Sequence, residues 1–135
     1  SGAFKIIRRL KEEFKTSKGK YVSPAPIEGK LCASSNIELA CVTGAGLKQP
    51  VALVMLSESA VSNKSQLESE LIETLNDVNQ TLEHHQRLDY LYVCDQDWSI
   101  ENGLLTPTLK IKRSNIESKY NKLLTDNITD KVLFE

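Results

Sequence analysis

Residues 102–113 read Asn-Gly-Leu-Leu-Thr-Pro-Thr-Leu-Lys-Ile-Lys-Arg, and this stretch joins two kinds of local structure. Pro107 disfavours helical geometry at the residue before it, which predicts an extended or turn conformation. Directly afterwards, the pattern Ser114-Asn115-Ile116-Glu117 is typical of a capping box and predicts a helix through about Leu124. Lys110 is therefore expected on a loop or at a strand end, and not on a helix face.

Charge and spacing alone leave two interpretations of Lys110. A lysine held outward by a loop that a helix anchors can bind phosphate as a compact point charge. At about 4 Å from a unit negative charge, an ammonium gains roughly 4 kcal/mol at an effective dielectric near 20. That is about three decades in rate if the whole gain is confined to the transition state. Alternatively, Lys110, Lys112 and Arg113 form a solvated basic edge, as most surface lysines do.

The clearest helix lies upstream of this stretch. Ser65-Gln66-Leu67-Glu68 has the form of a capping box and precedes an apolar stripe with three- and four-residue steps. The stripe consists of Leu67, Leu71, Leu75, Val78 and Leu82. This pattern predicts one amphipathic helix that ends near Arg87. Apolar, partly β-branched runs predict strands at 37–43, 51–56 and 90–94, the first two as antiparallel neighbours.

The two ends of the chain complete the expected fold. Residues 4–16 alternate apolar positions with charged pairs, which indicates two short strands around a charged turn, although the spacing also permits a helix. A basic loop follows at 15–20, and Ser23 is expected to cap a helix near 24–33. Leu133-Phe134 is expected to pack back onto the domain. We therefore predict an α+β fold, with a small central sheet of about three strands plus an N-terminal β-hairpin, flanked by about three helices.

Composition and charge exclude several classes of protein. The 135 residues fit a single domain, 1–135, and the 40% hydrophobic and 26% charged residues are ordinary for a globular chain. A net charge of −1 provides no field for nucleic acid. No apolar run approaches the roughly 20 residues that span a bilayer, so direct membrane insertion is not expected. Three cysteines without a CxxC pair favour a reducing compartment, and we therefore expect a cytoplasmic location. For a full-length protein that contains this chain, a peripheral location on a membrane stays an alternative.

The lysine stretch, followed by the helix that begins at Ser114, resembles the terminal motif of the long-chain acyl-CoA synthetases. These are AMP-forming enzymes of the adenylate-forming superfamily. The resemblance implies that Lys110 is the catalytic adenylation lysine, which contacts ATP phosphate and carboxylate oxygens during attack on the α-phosphate. It implies no such role for Lys112 and Arg113.

A second motif, at the other end of the chain, resembles the hinge motif of the same family. It comprises residues 9–15, RLKEEFK, and residues 19–28, GKYVSPAPIE. The resemblance implies that Arg9 binds the nucleotide ribose and that Lys11 is the hinge, within a hinge region near 9–12. It also implies that Gly19, with Lys18 and Lys20 beside it, lines the CoA channel. The family usually has a glycine where this chain has Arg8.

The resemblance implies a two-step ligase whose C-terminal lid domain is this chain. A fatty acid and ATP with Mg²⁺ give acyl-AMP, and CoA then gives acyl-CoA. The partner is an N-terminal adenylation domain that carries the acyl pocket, so this chain alone is expected to be inactive, to bind none of these ligands tightly and to hold no metal. Two alternatives stay open: another adenylate-forming enzyme (an aryl-CoA ligase or a luciferase-like enzyme), and a free-standing α+β binding module. Thr-Pro-Thr-Leu before Lys110, in place of Ser-Gly, favours the long-chain branch.

Overall fold

A four-stranded mixed sheet and a separate two-stranded hairpin organise the chain. The computed structural model describes residues 13–95, 97–125 and 128–135. In chain order the elements are β1 Phe14–Lys15, β2 Tyr21–Val22, α1 Pro24–Leu31, β3 Ile37–Thr43, β4 Val51–Leu56, α2 Lys64–Gln80, β5 Leu91–Val93, α3 Arg113–Tyr120 and β6 Val132–Phe134. Short 3-10 turns occupy His84–Gln86 and Asn121–Leu123. The predicted α+β class is confirmed.

The sheet separates two apolar layers. Its strand order is β3-β4-β5-β6, with β3 and β4 antiparallel and the other two pairs parallel. Because side chains alternate between faces, one face packs against α1 and α2 and the other against α3 and the segment before it. On the first face the registered row is Val42, Ala52, Leu91 and Val132. On the second face the row is Cys41, Leu53, Tyr92 and Leu133.

The strand predictions are confirmed at β3 and β4, including their bounds and their antiparallel pairing. The strand expected at 90–94 is the shorter β5. The sheet has four strands where about three were expected, because Leu133-Phe134 packs back as part of β6. A three-residue strand has too few positions for a recognisable alternation, so only its pairing with β5 reveals it.

The boundaries predicted for the long helix α2 are wrong at both ends. Asn63 is its N-cap, with Asn63 Oδ1 accepting the Gln66 N–H at 3.0 Å, so Ser65 and Glu68 do not form a capping box. The helix ends at Gln80 and not near Arg87. Asn79 accounts for the early end, because its side chain bonds both the N–H and the carbonyl of Leu88, at 2.8 and 3.0 Å, and turns the chain back towards β5.

The caps of the two short helices also differ from the prediction. Ser23 is the N-cap residue of α1, but its hydroxyl donates to Glu13 Oε2 at 3.1 Å and caps no amide. Helix α3 begins one residue before Ser114 and ends at Tyr120, so the second capping box and the end near Leu124 are wrong. Glu117, the expected box partner, accepts a hydrogen bond from Thr43 Oγ1 at 2.8 Å. That contact joins α3 to β3.

The N-terminal hairpin turns within the predicted basic loop. Phe14 pairs with Val22 across β1 and β2, and the turn occupies residues 16–20. The strands expected in the earlier part of residues 4–16 lie outside the described residues. Within the described part of the chain, no helix combines the length and apolar character needed to cross a membrane.

Candidate functional site

Residues 104–112, here called the lysine loop, form a narrow antiparallel excursion before α3. Leu105 and Ile111 make an antiparallel bridge at its base, and the Lys112 N–H donates to the Leu104 carbonyl at 2.8 Å. One step further out, the Thr106 N–H donates to the carbonyl of Lys110 at 2.8 Å. Lys110 thus lies on a loop outside any helix, as predicted.

The tip of the lysine loop is held by short-range hydrogen bonds. The Leu109 N–H donates to the Thr106 carbonyl at 2.8 Å, and the Lys110 N–H donates to Thr106 Oγ1 at 3.1 Å. Thr108 Oγ1 lies 3.0 Å from Thr106 Oγ1. Leu109 has a φ of 64°, a left-handed conformation that costs a non-glycine residue about 1 kcal/mol. The side chains of Leu109 and Lys110 are both exposed, so the turn directs an ammonium into solvent.

The base of the lysine loop is anchored in the second apolar layer. Leu104 and Leu105 are buried there together with Ile116 and Tyr120 of α3. Asn115 of α3 also donates its side-chain N–H to the Gly103 carbonyl at 2.6 Å. A buried base with an exposed tip is suited to presenting a charge to a ligand or partner, since the backbone is positioned while the side chain remains accessible.

A largely buried ion pair fixes the start of α3, and sequence reasoning missed it. Arg113 Nη2 donates to Glu28 Oε1 at 3.0 Å, and Nη1 donates both to Glu28 Oε2 and to the Val42 carbonyl, the latter at 3.2 Å. The side chains of Arg113 and Glu28 are 14% and 12% exposed. The two residues lie 85 positions apart, so no local pattern could have revealed the pair.

The turn at residues 16–20, here called the Gly19 turn, carries the second predicted group of site residues. Gly19 has a φ of 81°, and its N–H donates to the Thr16 carbonyl at 2.9 Å. A Cβ at this glycine would meet no described atom within 4 Å, so its backbone is open to approach. Lys18 donates from Nζ to Gln49 Oε1 at 3.2 Å, whereas the side chain of Lys20 is exposed.

The Gly19 turn and the lysine loop depend on different parts of the fold. The Ser17 N–H donates to the Leu47 carbonyl at 2.9 Å, which ties the Gly19 turn to the β3–β4 connection.

Between β1 and the start of α3 lies a cleft of about 540 Å³, lined by Glu13, Phe14, Pro24, Ala45, Arg113, Ser114 and Glu117. The other predicted site residues, Arg9 and Lys11, lie outside the described residues, as does Arg8.

A larger cleft of about 820 Å³ opens at the carboxyl ends of β4, β5 and β6. Its carboxylate side chains are those of Glu38, Glu58, Asp95, Asp97 and Glu135. This surface would repel an anionic nucleotide, and none of the predicted site residues lines it. In the part of the chain that the structure describes, no group of three or more His, Cys, Asp or Glu residues is placed to hold a metal ion.

Comparison with known sequences gives one consistent result. The profile of the family described as AMP-binding enzyme C-terminal domain matches residues 12–130. Long-chain-fatty-acid–CoA ligase 5 of Rattus norvegicus is 30% identical over 132 residues, which cover 84% of this chain and 19% of that protein. Long-chain-fatty-acid–CoA ligase FadD15 of Mycobacterium tuberculosis is 28% identical, covering 90% of this chain and 24% of that ligase. The chain thus spans about a fifth of the length of these relatives.

Solved structures share the fold at lower identity. The adenylation domain of a carboxylate reductase from Mycobacterium chelonae matches with a TM-score of 0.74 and 20% identity, covering 85% of this chain and 19% of that one. The A-PCP didomain of carboxylic acid reductase from Segniliparus rugosus, in complex with AMP, matches with a TM-score of 0.72 and 20% identity, covering 83% of this chain and 16% of that one. At these identities the likeness establishes the α+β architecture.

Proposed function

The chain belongs to the AMP-binding enzyme C-terminal domain family, and on that premise we propose that it is the mobile C-terminal domain of a fatty-acid–CoA ligase. The observation that carries the proposal is the lysine loop, which combines a hydrogen-bonded backbone with an exposed Lys110. The relatives that share the family and carry the name long-chain-fatty-acid–CoA ligase support this substrate class. The acyl pocket and the site for Mg²⁺ and the triphosphate would then belong to a large N-terminal adenylation domain.

In the first half-reaction a carboxylate oxygen of the fatty acid attacks the α-phosphorus of ATP, and pyrophosphate leaves. Negative charge builds on the oxygens around that phosphorus as the new bond forms. The Lys110 ammonium would lie against these oxygens and against the entering carboxylate oxygen. Because the tip backbone is already ordered, little reorganisation accompanies this contact, which is the condition for stabilising a transition state electrostatically.

In the second half-reaction the CoA thiolate attacks the acyl carbonyl, and AMP leaves. The Gly19 turn would line the channel along which the CoA arm enters, with Lys18 and Lys20 as neighbouring positive charges. The absence of a side chain at Gly19 leaves room for close backbone approach. Rotation about Lys11 would exchange the lysine loop for the Gly19 turn between the two half-reactions, while Arg9 would hold the nucleotide ribose.

The decisive experiment is Lys110→Ala in the full-length ligase, with the half-reactions measured separately. Pyrophosphate release in the absence of CoA reports acyl-AMP formation, and acyl-CoA formation from supplied acyl-AMP reports the thioester step. We expect the first rate to fall by about three decades if the contact is worth roughly 4 kcal/mol, and the second to be retained. Lys122→Ala removes one exposed positive charge elsewhere and serves as the control. Equal loss of both rates, or of neither, would contradict the role of Lys110.

The Gly19 turn is tested by two substitutions that differ in backbone tolerance. Asparagine accepts a positive φ more readily than alanine does. If CoA needs an open backbone at this position, Gly19→Ala and Gly19→Asn both slow the thioester step and leave acyl-AMP formation unchanged. If only the turn conformation matters, Gly19→Asn keeps the rate of the parent enzyme, and the channel role of Gly19 is contradicted.

The hinge role of Lys11 predicts an unequal effect on the two half-reactions. Lys11→Pro fixes φ at the proposed pivot and should slow the thioester step more than acyl-AMP formation, because rotation separates the two. An unchanged ratio of the two rates would contradict a hinge at this residue.

A further inference from the structure

The first residue of α3, Arg113, connects the lysine loop to helix α1 and to strand β3. Arg113 follows the loop directly, and its guanidinium reaches Glu28 of α1 and the Val42 carbonyl of β3. Glu28 Oε2 also accepts the Val42 N–H at 2.7 Å. Among the described residues β3 is an edge strand of the sheet, so this carboxylate takes a backbone donor that no described strand pairs on that side. Helix α1, strand β3 and helix α3 therefore meet at one charged point.

The geometry of this contact is that of a rigid coupling. Two guanidinium nitrogens of Arg113 face two carboxylate oxygens of Glu28, which fixes orientation as well as distance. A buried ion pair contributes little net stability compared with apolar residues of similar volume. A charged pair at this place is therefore better explained by the geometry that it imposes on the start of α3 than by its contribution to the free energy of folding.

We propose that Arg113 is a positioning residue for Lys110 and that it acts by holding the start of α3 against Glu28. This inference rests on the proposed function of Lys110. A lysine ammonium lies at the end of a flexible stem, so the protein controls its place chiefly through the backbone. One side of the lysine loop begins at the buried Leu104, and the other side ends at Lys112, directly before Arg113. The Lys112–Leu104 hydrogen bond and the Leu105–Ile111 bridge join the two sides of the loop to each other. The ion pair adds the contact that ties the second side to α1 and β3.

The test uses two substitutions in the full-length ligase. Arg113→Lys keeps the charge but cannot face both carboxylate oxygens and the Val42 carbonyl at once. The pair Arg113→Met/Glu28→Gln removes the ion pair without leaving an unpaired buried carboxylate, and glutamine retains an oxygen for the Val42 N–H. Thermal unfolding and circular dichroism identify which variants are folded, and Lys122→Met is the matched loss of one positive charge.

For folded variants we expect kcat of acyl-AMP formation to fall about 100-fold, the scale for a misplacement near 1 Å. The KM values for ATP and fatty acid should stay unchanged, because Arg113 touches neither substrate in the proposal. The thioester rate from supplied acyl-AMP should also stay unchanged. An unchanged kcat, or an equal fall in both half-reactions, would overturn the positioning role.

A double-mutant cycle separates this inference from the proposed function. If Arg113 acts through Lys110, then Arg113→Lys should cost nothing further in a Lys110→Ala background. The same fold-loss in both backgrounds would show a general structural effect and would overturn the inference. If Lys110→Ala by itself leaves acyl-AMP formation intact, the proposed function fails. If Lys110→Ala slows that step by about three decades while Arg113→Lys leaves its rate unchanged, only the positioning inference fails.

Discussion

Thr106 holds both backbone polar atoms of Lys110. Its N–H donates to the Lys110 carbonyl at 2.8 Å, and its hydroxyl oxygen accepts the Lys110 N–H at 3.1 Å. The backbone of the exposed lysine is therefore positioned by a single partner four residues earlier in the chain. The Thr-Pro-Thr sequence therefore contributes more than turn propensity, since the first threonine holds the backbone of Lys110.

Thr106→Val tests this contact, because valine has nearly the same shape but no hydroxyl. We expect a loss of about 1 kcal/mol in unfolding free energy for the missing hydrogen bond. We also expect kcat of acyl-AMP formation in the full-length ligase to fall by about fivefold, the rate equivalent of a similar loss in the transition state. Urea unfolding and pyrophosphate release measure the two effects. Thr106→Ser retains the hydroxyl and should behave as the parent; equal behaviour of the serine and valine variants would exclude the hydroxyl as the cause.

Leu109 predicts an unusual ranking of substitutions. Its φ of 64° disfavours side chains branched at Cβ, and its own side chain is 61% exposed, so little packing is lost on replacement. Leu109→Asn should leave the unfolding free energy unchanged or raise it by up to about 1 kcal/mol, because asparagine accepts this conformation. Leu109→Val should lower it by about 1 kcal/mol or more. Urea unfolding measures both free energies. If the left-handed turn is absent in solution, the ranking of the two variants should be reversed.

Two glycines should respond oppositely to alanine. At Gly44 a Cβ would lie 2.9 Å from Pro50 Cα, and the φ of 146° is one that alanine rarely adopts. Gly29 lies within α1, and a Cβ there meets nothing within 4 Å. We expect Gly44→Ala to cost about 1–3 kcal/mol through overpacking and strain. Gly29→Ala should stabilise by about 0.5–1 kcal/mol. Thermal unfolding measures both changes in stability. If both variants change stability in the same direction, this assignment of the β3–β4 turn is contradicted.

Buried thiols predict a loss of stability at alkaline pH. Burial raises the pKa of Cys41 and of Cys94 to about 12, from an ordinary value of 9.0. The folded state holds these protons where the unfolded chain releases them, so their stabilising contribution is complete below pH 9 and falls as the pH rises towards 12. Within that window each thiol lowers the unfolding free energy by about 1.4 kcal/mol per pH unit.

Comparison with Cys94→Ala isolates this effect from the titration of other groups. The variant should be less stable at neutral pH because a buried side chain is truncated. Its unfolding free energy should nevertheless decline less steeply between pH 9 and 12 than that of the parent, since one of the two thiols is gone. Urea unfolding at several pH values measures both free energies. If they decline equally steeply with pH in the variant and the parent, the Cys94 proton is not retained in the folded state.

Local sequence patterns predicted those helices, strands and loops whose formation depends on residues close together in the chain. The apolar runs of β3 and β4 have the length and the β-branched content of strands, and the turn between them makes antiparallel pairing the shortest connection. The placement of Lys110 followed from Pro107 and the nearby helix start. Both capping-box predictions failed because several polar side chains lie near each helix start, and a local pattern does not decide which of them caps the helix or which partner each one meets. Asn63 caps α2 ahead of Ser65, and Glu117 turns to Thr43.

Local sequence patterns were sufficient to predict the α+β class, the two central strands, the apolar stripe of α2 and the exposed loop that carries Lys110. These features depend on neighbours within a few residues, whose propensities and periodicities act before any long-range contact forms. The fourth strand, the left-handed turn at Leu109 and the ion pair between Arg113 and Glu28 became visible only in the folded chain. Each requires segments distant in the chain, or a backbone that is fixed at both ends, and no periodicity encodes which distant partner a charged side chain will meet.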